Sequence, residues 1–319
     1  MRPALSVILF STLSGVGYGI WFWVGTGIAL HGWGYVFERS LFSIGVLTGA
    51  LLSTAGLVAS LWHLGKPLRA WRAFSQWRTS WLSREGIAAL ATLAIAALLL
   101  LLLMDGLRPW AGRLLAAALA ICSQLTVLCT AMIYASLKPI PAWRHRLVVP
   151  GFIGFSLLTG ALVAIPLRSP MACSLLATWD PEYGCGQTLL ICSVLVVAMA
   201  VLKIRYWHAI DRQPLPHDRA AAVGLPARAV TVFERPHTES SFITREMAFV
   251  VARRHARLLR IASVLLFAAV PLLLLLAMQL QMAMPLIAGP LAAGSAWAGS
   301  FLERWLFFAQ ARHVVTLYY

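Results

Sequence analysis

The sequence predicts an all-α membrane protein, a polytopic bundle of eight transmembrane helices. Of its 319 residues 60% are hydrophobic and only 12% are charged, and the mean hydropathy is +0.80. The apolar residues come in unbroken Leu- and Ala-rich runs of the roughly 20 residues needed to cross a hydrocarbon core. The runs lack the inside–outside alternation of barrel strands, and helices are the other structure that satisfies every backbone group in lipid.

The spans fall at about 5–30, 41–62, 85–104, 114–137, 147–167, 187–207, 258–281 and 285–310. No cleavage site follows the first, which therefore reads as a retained helix. Only Gln281-Met-Ala-Met-Pro285 separates the last two spans. Pro285 suits a first helical turn, where its missing N–H costs nothing.

Basic residues give the orientation. One set of alternate loops and ends holds Arg2, Lys66, Arg69, Arg72, Arg78, Arg84, Lys138, Arg144, Arg146 and Arg312, and the 203–260 region adds eleven Lys/Arg. The opposite set holds only Arg39, Arg108, Arg113 and Arg168. The positive-inside rule then places both termini in the cytoplasm and the chain in the inner (cytoplasmic) membrane. The formal charge of +15 is mostly this asymmetry and calls for no nucleic-acid partner.

Residues 209–256 form a long cytoplasmic loop with Pro214, Pro216, Pro226 and Pro236 and too few large apolar residues for a core. It reads either as a solvated linker or as a docking surface that orders against a soluble partner. Its basic end, up to Arg257, suits the membrane surface. Cys122, Cys129 and Cys192 lie in spans as small packing residues. Without a CxxC pair the chain has no spacing for a metal or an iron–sulfur cluster. Cys173 and Cys185 share the outer, oxidising side, where a disulfide is expected.

The stretch from Leu61 to Glu85 is richest in chemistry. Leu68, Trp71, Phe74 and Trp77 or Trp81 recur at helical spacing, with Arg69, Arg72 and Arg78 largely elsewhere on the wheel. This predicts a short amphipathic helix among the lipid head groups, and a simple anchor is its plainest reading. His63 ends one span and Glu85 begins the next, so the two are expected at one membrane depth. Quinone chemistry couples electrons to protons and needs titratable groups at such an edge, walled by apolar rings. The structural alternative makes Glu85 a charge partner for the helix N-terminus with Ser83 as cap, and His63 an interfacial residue.

Two other functions compete. A haem b cytochrome would need paired axial histidines, and His63 with His208 is the available pair. A transporter would place ionisable groups near the midplane, whereas Glu85, Glu303 and Arg304 are expected near an edge.

The run His63-Leu-Gly-Lys-Pro-Leu-Arg-Ala-Trp-Arg-Ala, followed by Thr79-Ser-Trp-Leu-Ser-Arg-Glu85, resembles the signature of the DmsC family. These are membrane anchors of DMSO-reductase-type molybdoenzymes, related in architecture to NrfD and PsrC anchors. Glu303-Arg-Trp-Leu-Phe-Phe-Ala309 resembles the family's closing motif. The resemblance implies electron exchange between membrane quinone (ubiquinone or menaquinone) and a ferredoxin-like iron–sulfur subunit, itself joined to a molybdopterin catalytic subunit. It implies proton transfer by His63 and Glu85, with Gly65, Arg69, Arg72 and Trp81 completing the quinone site. The extended 209–256 loop departs from shorter members and is more like anchors of cytoplasm-facing enzymes, including sulfite dehydrogenases.

Overall fold

The computed structural model describes residues 4–33, 36–62, 64–106, 108–172, 185–213, 215, 218–226, 228–231, 233 and 255–317, with backbone only at 36–38, 165–172 and 185–187. The chain forms α1 (Leu5–His31), α2 (Val36–Leu61), α3 (Trp81–Asp105), α4 (Pro109–Ala135), α5 (Val148–Ala172), α6 (Cys185–Arg212), α7 (Ala256–Gln279) and α8 (Pro285–Ala309). It is an all-α, polytopic membrane protein. Among the described residues six helices are long and apolar enough to cross a membrane: α1, α2, α3, α4, α6 and α7. The third helix opens at Trp81, one turn before the span expected from sequence, because Ser80 is a strong start signal.

α1 is the hub, packed against α2, α4, α5 and α8. Small residues on several of its faces make this possible, since helices in lipid associate by close packing. A Cβ at Gly17 would stand 2.7 Å from the Gly49 carbonyl oxygen of α2. A Cβ at Gly19 would collide with the Ser156 carbonyl of α5. Tryptophan N–H groups then tie the helices: Trp21 donates to Val46 O and Trp23 to Leu157 O, both at 2.9 Å. Arg113 of α4 donates to Ala29 O and Leu30 O (3.0 and 3.1 Å), satisfying carbonyls that the end of α1 leaves open.

α7 contains a π-helical turn over Leu265–Ala269, and its cause is local. Pro271 has no N–H to return to the preceding turn, and the N–H of Val270 reaches back to Leu265 O. The Leu266 carbonyl, bypassed by that register, accepts a hydrogen bond from the Ser295 hydroxyl of α8 at 2.7 Å.

The N-termini of the odd helices and the C-termini of the even ones share one end of the bundle, the basic end. There the α4–α5 connection is fixed by Trp143 donating to Phe307 O (3.0 Å), Tyr206 donating to Ala142 O (3.0 Å) and Val314 N–H donating to Pro139 O (3.0 Å). Arg260 of α7 holds Asp211 of α6 in a bidentate pair, with bonds of 2.6 and 2.9 Å, and also donates to Gln310. Cys173 lies outside the described residues, as does the Cys185 side chain, and so does most of 232–254.

Candidate functional site

The segment between α2 and α3 is a 3-10 helix, Pro67–Gln76, rather than an α-helix. Its apolar side chains are open: Leu68 is 93% and Trp71 64% exposed, and Trp77 is exposed as well. It is nevertheless bolted to the start of α3. The Ser83 hydroxyl donates to Ala73 O at 2.5 Å, Arg84 donates to Trp77 O (2.9 Å) and Arg78 O (2.7 Å), and the Phe74 ring lies against Gly86. Arg84 also stacks over Trp81, with 4.3 Å from its guanidinium carbon to the ring centre. A cation among the last carbonyls of a helical segment is favourably placed.

The start of α3 corrects one sequence expectation. Ser80, not Ser83, is the N-cap, its hydroxyl accepting from Ser83 N–H at 3.4 Å. Ser83 is instead spent on the 3-10 segment, since its hydroxyl faces Ala73 O. With the cap supplied by Ser80, Glu85 is free to turn inward. It is 4% exposed and accepts a hydrogen bond from Thr130 of α4. Two turns further on, the Thr92 and Thr126 hydroxyls pair at 3.1 Å across the same α3–α4 seam.

The other expected site residues divide. Gly65, Arg69 and Arg72 are exposed, and neither arginine pairs with Glu85 among the described residues. Trp81 is half-buried one helical turn from Glu85. His63 lies outside the described residues. His208 is exposed at the end of α6. Among the described residues no cluster of three or more His, Cys, Asp or Glu is arranged for a metal ion.

Sequence reading missed an interior charged group. Lys203 of α6 forms an ion pair with Glu303 of α8, and their side chains are 5% and 1% exposed. The Lys203 ammonium also sits 4.0 Å from the Tyr206 ring centre. Arg304, adjacent in sequence, lies with its guanidinium carbon 3.5 Å from the Phe152 ring centre. Glu303 and Arg304, expected near an edge, lie within two turns of the α8 C-terminus and are buried between helices beside the aromatic cluster of Tyr134, Trp143, Phe152, Phe307 and Phe308. The signal was available in Val201-Leu-Lys-Ile-Arg205, where Lys203 falls inside the expected sixth span at 187–207. Such intramembrane charges mark candidate functional groups.

Two comparisons bear on this geometry. The family model described as "DMSO reductase anchor subunit (DmsC)" matches residues 1–310. The chain is also 31% identical over 349 residues to one of the subunits of a sulfite dehydrogenase from Allochromatium vinosum, covering 100% of this chain and 99% of that protein. A match along nearly the whole length, with the sequence runs at both Glu85 and Glu303 inside it, settles the classification. The chain belongs to the DmsC family of membrane anchor subunits.

Proposed function

We propose that this chain is the quinone-reactive anchor of a multisubunit molybdopterin oxidoreductase. It passes electrons between membrane quinone and a ferredoxin-like iron–sulfur subunit, which exchanges them with a molybdopterin catalytic subunit. The reading takes all eight long helices as spans, with both termini and residues 209–256 in the cytoplasm. The name of the bacterial relative favours sulfite as the substrate of the catalytic partner, with electrons running toward quinone.

The observation that carries the proposal is the buried Glu85 carboxylate, bonded to Thr130 beneath the Trp- and Arg-rich segment. Each quinone reduced to quinol takes up two electrons and two protons, and the reverse reaction releases them. The electrons come from the iron–sulfur partner, so this chain must supply the protons. Glu85 is built for that exchange, because Thr130 serves both of its charge states. The Thr130 hydroxyl donates to the carboxylate. When Glu85 is protonated its O–H donates instead to Thr130, whose own proton turns to Thr126 O at 3.1 Å.

The residues present fit a quinone head group. The exposed Trp71 ring and the Phe74 ring against Gly86, the residue after Glu85, offer an apolar wall of the kind such sites use. The cavity adjoining Thr130 is only about 20 Å³, so the ring belongs against the Trp-rich segment rather than inside the bundle. Arg69 and Arg72, exposed on that segment, suit head-group orientation or contact with the iron–sulfur partner.

The test uses the assembled complex. Glu85→Gln and His63→Ala should leave assembly and dye-linked activity intact while slowing quinone turnover at least about tenfold, ~1.4 kcal/mol of barrier. Normal quinone turnover in both variants would move the site elsewhere.

A further inference from the structure

Behind Glu85 the bundle holds polar groups that quinone binding does not use. A cavity of about 20 Å³ is lined by Thr130, Tyr18, Ser156, Ser300 and Arg304. A second, of about 10 Å³, is lined by Lys203, Glu303, Tyr206 and the same Arg304. Each is close to the space one water occupies, and polar cavities of that size with several hydrogen-bonding neighbours hold water. Among the described residues Tyr18 Oη, Glu303 Oε2 and Arg304 Nε have no hydrogen-bond partner, although all three residues are buried. Buried polar atoms left in that state demand a partner. The route from Thr130 to Glu303 therefore alternates side chains with water-sized gaps.

The charges point the same way. Lys203, Arg304, Glu303 and Glu85 sum to zero when all are ionised. A proton taken up by either carboxylate leaves one uncompensated positive charge in the hydrocarbon region, which is unfavourable. One proton is therefore held by the two carboxylates at a time, and a second entering at one favours loss of the first from the other. Such a group passes protons on rather than storing them.

We propose that the two cavities flanking Arg304 form an internal proton route linking Glu85 with the buried Lys203–Glu303 pair. The proposal rests on the reading of Glu85 as the proton-exchanging group of quinone chemistry. A proton leaving Glu85 passes by way of the Thr130 hydroxyl and water to Glu303, and moves in the opposite direction when quinone is reduced. Arg304 stays ionised and sets the field between the two ends.

Gly15 allows a test that removes no charge and no hydrogen bond. It lines the first cavity, and a Cβ built on it meets no atom of a neighbouring helix within 4 Å among the described residues. Its carbonyl, which accepts from the Ser156 hydroxyl at 2.7 Å, is unaffected by a side chain. Gly15→Val therefore fills the space for water. In the purified complex in proteoliposomes, assembly, dye-linked activity and the KM for quinone should match the parent. The kcat with quinone should fall about tenfold, and its solvent deuterium isotope effect should rise, with Gly15→Ala intermediate. The double variant Lys203→Met/Glu303→Gln should show the same kcat loss and raised isotope effect. Parental kcat and isotope effect in Gly15→Val overturn the route. If that variant does not assemble, parental values in Gly15→Ala together with the double variant overturn it equally. Slow turnover in Glu85→Gln with normal turnover in Gly15→Val refutes the route alone. Normal turnover in Glu85→Gln refutes the reading of Glu85 as the proton-exchanging group beneath it.

Discussion

Thr130 of α4 donates a hydrogen bond to the Glu85 carboxylate of α3, joining two residues 45 positions apart at a seam closed to solvent. The bond decides whether Glu85 is tolerated in the bundle, because a buried carboxylate without a donor is strongly disfavoured. Thr130→Val keeps the shape and removes the donor. The variant should lose about 1–3 kcal/mol of stability and turn over quinone more slowly. Thermal unfolding and quinone assays of the detergent-solubilised complex measure both. An unchanged unfolding temperature would mean that Glu85 finds another partner.

The Lys203–Glu303 pair should behave asymmetrically under mutation. Lys203→Met leaves Glu303 buried beside Arg304 alone and should cost about 3–5 kcal/mol, whereas Lys203→Met/Glu303→Gln should recover much of that loss. Yield of assembled complex and its unfolding temperature report the difference. A double variant as unstable as the single one would show that the pair contributes through more than charge compensation.

Two histidines at the basic end predict an acid limit to stability. His145 Nδ1 accepts from Leu147 N–H at 3.2 Å, and His313 Nδ1 accepts from Val315 N–H at 3.0 Å. Burial holds both imidazoles below their usual range, and at His145 the charges of Arg146 and Lys203 push the same way. A depressed folded-state value favours the neutral ring. Its stabilisation is therefore full above the unfolded value of about 6.5 and is lost as pH falls through the lower folded value. Protonation also removes the acceptor. The unfolding temperature should drop as pH falls from about 6.5 toward that lower value. His145→Asn/His313→Asn should flatten the drop, since Asn accepts the same N–H two residues on without titrating.

Orientation and the outer loop are testable together. Alkaline phosphatase fused after Arg312 or within 209–256 should be inactive, and fused near Asp180 it should be active, as the Lys/Arg asymmetry requires. On the same outer side Cys173 and Cys185 should be joined, so both resist alkylation until reduced, as intact mass would reveal. Free thiols at both positions refute the bridge.

Much of this protein was legible in order of residues alone. Runs of Leu and Ala fix which segments enter lipid, because only a helix satisfies their backbone there. Lys and Arg mark one end of the bundle. Pro285 starts a helix as expected, in the first turn where its missing N–H costs nothing. Glu85 stood out as a carboxylate at the edge of an apolar run, and Arg69 and Arg72 as a basic face.

Only the tertiary structure decided which way each helix turns. In α3, Leu99 and Leu103 are 0% and 2% exposed while Leu101 is 61% exposed, yet the residue type is the same. In water an amphipathic stripe announces the core. In a bilayer both the lipid and the protein interior accept leucine, so no such stripe is required. Close approach at Gly17 and Gly19 placed α1 in the middle, and that placement brought Thr130, Tyr18 and Arg304 around one cavity. The order of residues puts Lys203 on α6 and Glu303 on α8. Their meeting is fixed by helix rotation, which only packing sets.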